Sequence, residues 1–335
     1  MKFSVKTLTY ITFLLLISQI GTARGTWKRE TSKAMAQMTE ETLFREISFL
    51  SDTLCKGRAT GTVGNVDVAF WIKRKFEQAG LKCLGGSYGS HFITPTGAHA
   101  HNVIGMIPGA LSMPRDRYVI VGAHFDHLGE LNGSVYPGAD ANASGTVAMT
   151  SLADIFGAMR TMGKVYDSNI LFVAFDAKEM NMAGSEALWK LIEYGMLKDP
   201  LTGATISKDK IDLMVNIDQI GSTLSPIHKD RKDYLIMLGT NSLPKGKRMN
   251  LEACNGLHNI NLDICLSYYG SETFTRVFYR LSDQKIFVDN GIPAVLFTSG
   301  ITMNTNKTRD TVASLDMNVL RKRIVLMYHW LESML

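Results

Sequence analysis

Tyr118-Val119-Ile120-Val121-Gly122-Ala123-His124-Phe125-Asp126-His127 is the stretch that decides the fold. Six nearly unbroken apolar residues give way abruptly to polar, metal-binding types. A run that is apolar on both sides suits a central strand covered on both faces, the situation in α/β proteins. Asn169-Ile170-Leu171-Phe172-Val173-Ala174-Phe175 is a second such run, and Met214-Val215-Asn216-Ile217 and Ala294-Val295-Leu296-Phe297 are shorter ones. Helical stretches lie between them, Gly145 to Met162 and Ser185 to Tyr194. The alternation predicts an α/β fold, a single domain with a mixed, mostly parallel central sheet and helices on both faces. Upstream, Thr39 to Phe49 reads as a helix capped by Thr39, and Asn65 to Ala79 as another closed by Gly80. His101 to Ile107 reads as a strand ended by Pro108-Gly109. No second core-forming unit is visible, so Leu224–Ser271 is expected to be an irregular insertion.

The chain has 335 residues, 45% apolar and 20% charged, which excludes disorder, collagen, coiled coil and a small disulfide scaffold. The formal excess of +5 is weak for this length, and no basic face with interleaved aromatics appears, so nucleic acid is not an expected partner. Residues 1–23 read as a secretory signal peptide. Lys2 and Lys6 form the charged start, Leu8 to Ile20 the apolar stretch, and Gly21 and Ala23 the small residues of a cleavage site. That stretch is shorter than the ~20 residues of a membrane span. Residues 24–335 would then form the mature domain, with an excess of +3, no transmembrane span and a periplasmic or secreted location. Export permits disulfides. Among Cys55, Cys83, Cys254 and Cys265, the pair Cys254–Cys265 is the better candidate because it closes a short loop; four free thiols are the alternative. The oligomeric state is not legible.

In open α/β sheets, sites form beyond the carboxyl ends of the strands. The first run ends at His124, and the turn Gly138-Ala139-Asp140-Ala141-Asn142-Ala143-Ser144-Gly145 then opens a helix. The second ends at Asp176-Ala177-Lys178-Glu179 and the third at Asp218. Separate strand ends thus bring His124, Asp140, Glu179 and Asp218 toward one edge. One imidazole with several carboxylates suits zinc or another borderline divalent ion.

The chain resembles the co-catalytic zinc exopeptidases of metallopeptidase family 28, which includes bacterial aminopeptidases, glutamate carboxypeptidases and glutaminyl cyclases. Gly57-Arg58-Ala59-Thr60-Gly61-Thr62, His101-Asn102-Val103-Ile104-Gly105, Asn290-Gly291-Ile292-Pro293-Ala294-Val295 and Asp310-Thr311 match segments that recur there. The resemblance implies the zinc-exopeptidase, phosphorylase/hydrolase-like architecture and a peptide substrate or ligand, with removal of N-terminal residues as the reaction. It further implies that His124, Asp140 and Asp218 hold a first zinc with Asp140 bridging, that Asp126 orients His124, and that Glu179 binds a second zinc.

The pattern is broken at defined places. Lys178 stands where such enzymes carry the acidic general base, and an ammonium cannot accept a proton from the attacking water. Asn306 stands where a His would bind the second zinc, and no His lies between His258 and His329. Gln284 replaces a further His, and Ala141 an acidic residue beside the expected bridging Asp140. One zinc ion is therefore expected rather than two. Two readings follow, an impaired single-metal hydrolase with Glu179 or His127 as a substitute base, and a pseudopeptidase that binds a peptide or partner. In the second, the Lys178 ammonium takes the place of the second zinc and neutralises Asp140 and Glu179. Glutaminyl cyclization is a third option, although Lys178 and Asn306 depart from that branch too. His99 and His101 share a strand face and are read as an ordinary pair or a ligand pair.

Overall fold

The computed structural model describes residues 27–110, 116–244, 247 and 249–335. The expected signal peptide lies outside the described residues. Thr39 caps the helix α1 (Glu40–Leu50), its side chain accepting from the Thr42 N–H, and Thr62 caps α2 (Val63–Gln78) by accepting from the Asn65 N–H. The strands are β1 (Lys82–Cys83), β2 (Gly89–Ile93), β3 (His99–Ile107), β4 (Tyr118–His124), a hairpin of β5 (Gly129–Leu131) and β6 (Ser134–Tyr136), β7 (Asn169–Phe175), β8 (Ile211–Ile217), β9 (Tyr234–Leu238), β10 (Asp263–Cys265) and β11 (Ala294–Thr298). The remaining helices are α3 (Gly145–Thr161), α4 (Ala183–Glu193), α5 (Asn250–Leu257), α6 (Glu272–Tyr279), α7 (Lys285–Asp289) and α8 (Met317–Glu332).

The main sheet runs β1-β3-β7-β4-β8-β11-β9-β10, with β2 also paired to β3. The centre, β7-β4-β8-β11, is parallel. The antiparallel pairs flank it, β3 on one side and β9 on the other. Side chains alternate along β4 as strand geometry requires. Val119, Val121 and Ala123 pack into one core with Phe76, Phe156 and Trp330, while Tyr118 and Ile120 pack into another with Trp189 and Phe287. Helices thus cover both faces, as the apolar runs imply.

Two expectations need correction. Leu224–Ser271 is not wholly irregular, because Tyr234–Leu238 is a fully buried strand antiparallel to β11, and Asp263–Cys265 adds the last strand parallel to it. A five-residue apolar run is too short for periodicity to distinguish strand from helix, which is why the segment is not legible as sheet. The Cys254–Cys265 bridge is absent, and all four cysteines are free thiols. Cys254 is buried on α5, whereas the Cys265 thiol donates to the Ser267 carbonyl.

A buried arginine joins these layers. The Arg58 guanidinium, fully buried, donates to the carbonyls of Phe125 (2.8 Å), Leu50 (2.7 Å), Pro137 (2.6 Å) and Gly138 (2.9 Å). Burial lowers its pKa to about 10, so it remains charged at neutral pH. Gly57 precedes it with φ +64°, and a Cβ there would stand 2.5 Å from the Tyr136 carbonyl oxygen, so only glycine lets the hairpin close over this segment. The Arg58→Met variant leaves four acceptors without their donor. At about 1–3 kcal/mol for each buried polar group left unsatisfied, urea denaturation should show a loss of at least ~3 kcal/mol.

Candidate functional site

Four segments meet at the carboxyl edge of the parallel strands. His124 ends β4 and is fully buried. Its Nδ1 lies 3.3 Å from Asp126 Oδ1, and its Nε2 lies 3.4 Å from Asp218 Oδ1, just past the end of β8. The other Asp218 oxygen accepts from the Ser282 hydroxyl at 2.6 Å. Ser282 in turn accepts from the Asn216 amide at 2.8 Å, so the Ser282-Asp283-Gln284 segment holds the end of β8 in place. The Glu179 N–H, on the turn after β7, donates to Asp126 Oδ2 at 3.0 Å. Asp126 thus stands between the imidazole, whose Nδ1 also lies 3.1 Å from the Asp126 backbone carbonyl, and the turn that carries Lys178.

Lys178 points into this site. Its ammonium lies 3.1 Å from Glu179 Oε1. Burial lowers the lysine pKa, but the Asp218 and Glu179 carboxylates outweigh this and hold it above its usual range. Burial likewise lowers the His124 pKa, and Asp218 offsets this and brings it up to about 10. Asp218 stays well below the usual carboxylate range, because His124 and Lys178 outweigh its burial. The charges at the strand ends thus compensate one another within the protein.

The Asp140 carboxylate is held within its own turn, with Oδ1 accepting from the Ser144 hydroxyl (3.0 Å) and the Gly221 N–H (2.7 Å), while Oδ2 is buried without a partner. Burial and the nearby Asp310 carboxylate raise its pKa to about 7. Lys178 accordingly pairs with Glu179 but not with Asp140. Its neighbour Ala141, joined to Asn142 by a cis peptide bond, is the residue of this turn that lines the pocket. Asp310 fixes the turn, accepting from the N–H groups of Asp140 (2.9 Å) and Ala141 (3.0 Å). The Asn142 amide closes it from the other side, donating to the carbonyls of Ile217 (2.9 Å) and His124 (3.3 Å) at the ends of two neighbouring strands.

The pocket, of about 170 Å³, has Lys178, Asp218, Ala141 and Asn306 at its polar end. Tyr268, Phe278, Leu281 and Ile301 form apolar wall. Asn306 sits there with a positive φ of 57° and is exposed, as are Lys307 and Arg309. Helix α6, which supplies Phe278, has no buried residue. The sequence hints at Tyr268 but gives no sign of Phe278, half-buried near the end of a short helix, or of Leu281 just beyond it, because isolated apolar residues carry no motif. His127 is buried rather than at the rim, and neither it nor Glu179 lines the pocket.

His124 Nε2, Asp218 Oδ1 and Asp140 Oδ2 are buried without hydrogen-bond partners, as donors open to a metal would be. Yet Glu179 is engaged by the Lys178 ammonium, and Asn306 offers no imidazole. Among the described residues, no group of three or more His, Cys, Asp or Glu side chains is arranged to hold a metal ion. The residues present do not fit the implied zinc pair, and His124, Asp218 and the free Asp140 oxygen are what remains of it.

A mixed sheet with a parallel centre, clad by helices and bearing acidic and imidazole groups at its carboxyl edge, is an α/β fold with its site where such folds place one. The sequence matches the pattern of Peptidase family M28 over residues 102–330, and the chain belongs to that family. Its structure is similar to that of the aminopeptidase LapA of Legionella pneumophila, at 17% identity and a TM-score of 0.66, over 90% of this chain and 72% of that one. It is also similar to a zinc aminopeptidase of Bacillus subtilis (13% identity, TM-score 0.64, 89% and 95% covered). A glutaminyl cyclase of Porphyromonas gingivalis matches as well (14% identity, TM-score 0.64, 89% and 99% covered). No described helix is long and apolar enough to cross a membrane.

Asp310→Ala removes both acceptors of the turn. Hydrogen bonds to a charged group contribute about 1.5–3 kcal/mol each, so losing two should cost ~3–6 kcal/mol in chemical denaturation. Asp310→Asn, which keeps one acceptor oxygen, should lose about half as much.

Proposed function

We propose that the protein is a member of peptidase family M28 that binds a peptide or peptide-like ligand without hydrolysing it, and that it does so outside the cytoplasm, in keeping with the leader-like residues 1–23. The observation that carries this reading is the Lys178 ammonium, 3.1 Å from Glu179 and lining the pocket beside Asp218. A protonated lysine cannot take a proton from water, and loss of a positioned base costs ~10²–10⁴-fold in rate. The two substitute bases considered from the sequence, Glu179 and His127, do not line the pocket. What remains is a concave site with an apolar wall and a few converging polar groups, the usual form of a binding pocket.

The test combines turnover and binding on the purified protein. A panel of aminoacyl substrates should give no turnover above background, with or without added zinc. Calorimetry with short peptides should detect binding that Leu281→Asp weakens at least fivefold, since Leu281 lines the pocket and is 54% exposed, so its replacement spares the core. The combined variant Ala141→Asp, Lys178→Glu and Asn306→His should take up more zinc than the unaltered protein, because it returns donors to the three pocket positions that lack them. Zinc-dependent turnover by the unaltered protein would overturn the proposal and leave the single-metal hydrolase, for which the unpartnered His124 Nε2 and Asp218 Oδ1 are the supporting observation.

A further inference from the structure

Three histidines at the far end of the sheet take no part in the site above. In the antiparallel pairing of β2 with β3, His91 lies directly opposite His101, and Ile93 directly opposite His99. Side chains alternate across a strand, so His91, His99 and His101 project from one face of this two-stranded edge. The His91 and His101 rings stand 5.5 Å apart, centre to centre, with their planes 33° from parallel. All three line a pocket of about 360 Å³ between this edge and α2, where Phe70 and Lys73 face them. This pocket shares no lining residue with the strand-end pocket.

The surroundings match what a bound metal requires. His91 and His99 are exposed, and His101 is half-buried. Behind His101, its Nδ1 lies 3.9 Å from Asp176 Oδ2, on a carboxylate that is fully buried. The Thr60 hydroxyl and the Asn65 amide, each at 2.9 Å, and the His101 N–H at 3.1 Å fix that carboxylate in place. At 3.9 Å the carboxylate is not hydrogen-bonded to the ring, but its negative charge lies behind the imidazole and favours a cation in front of it. Burial, and then the His91 and Lys73 charges, hold the His101 pKa below its usual value, so the ring is neutral and able to coordinate at neutral pH.

The geometry points to His91 and His101, joined by His99, as a site for one divalent transition-metal ion of the zinc, copper or nickel kind, with water completing the coordination. Imidazole suits these three ions. Metal–nitrogen bonds of about 2 Å place an ion between two rings spaced as His91 and His101 are. As the side chains stand, no three donors close on a common point. His99 joins by a side-chain rotation of the sort exposed residues undergo within nanoseconds. Lys73 lines the same pocket, and its charge weakens the site for a cation. The inference is independent of what the strand-end pocket binds.

Calorimetric titration of the tag-free protein with Zn²⁺, Cu²⁺ and Ni²⁺ tests it. One ion per chain is expected, bound at least tenfold more weakly in His91→Ala and in His101→Gln, and two- to tenfold more weakly in His99→Ala. His124→Ala, at the other site, should leave this binding unchanged. Electron paramagnetic resonance of the copper-loaded protein should show coupling to at least two imidazole nitrogens, reduced in His91→Ala. Because His91 is exposed, that variant should keep the melting temperature of the parent in the absence of metal, which separates lost ligation from lost folding. No binding of any of the three ions at millimolar concentration would overturn the site. So would binding that survives both His91→Ala and His101→Gln, or binding that His124→Ala abolishes.

Discussion

The rest of the structure depends on one buried cation. Arg58 belongs to no regular strand or long helix, yet its guanidinium ties the end of α1, the residue after β4 and the Pro137-Gly138 turn to a single point. Those carbonyls are turned inward by the course of the chain and have no water to meet them. A planar fork with five donors is the side chain best able to satisfy several acceptors at fixed angles, which a lysine would not. Arg323 does a similar service at the other side of the site, donating to the carbonyls of Tyr234, Ile220 and Ser222. Between the two arginines, the loops beyond the parallel strands are held to a defined shape, and the pocket exists because they are.

Within that frame the strand ends carry a balance of charge rather than a metal cage. His124 is flanked by Asp126 and Asp218, and Lys178 by Glu179 and Asp218. Two positive side chains thus stand among three carboxylates. A family whose members use zinc here needs dications to offset clustered acids. In this chain the Lys178 ammonium stands against Glu179, and the turn residue that lines the pocket, Ala141, carries no charge. The turn at Ala141 keeps its supports from Asp310 and Asn142, so its backbone is preserved while its chemistry has changed.

Much of this was legible in the sequence. The apolar runs at Tyr118 and Asn169 gave the central strands and the two-sided cladding, because burial on both faces leaves no polar alternation to confuse the reading. Lys178 and Asn306 were legible as departures, because their neighbours Glu179 and Asp310 anchor the register. Asp140 and Ala141 were not separable, since which of two adjacent residues faces the pocket depends on backbone torsion and not on residue type. Tyr234–Leu238 was missed as a strand for want of length. The wall formed by Phe278 and Leu281 was missed because one sits at the end of a short helix without fully buried residues and the other just beyond it, where no periodic pattern marks them.

That helix has a consequence of its own. No residue of α6 is fully buried, and only Phe278 and Tyr279 pack, part-buried, against Tyr234, Leu238 and Tyr268, so the rest of the helix is free of the packing that constrains β4 or α3. Phe274, Val277 and Leu281, each about half exposed, can be exchanged for side chains of other size or charge with little effect on folding. The wall is therefore the part of the molecule freest to change under selection. Related chains can differ in what they accommodate while sharing the same rigid floor, and recognition can diversify here without a matching loss of stability.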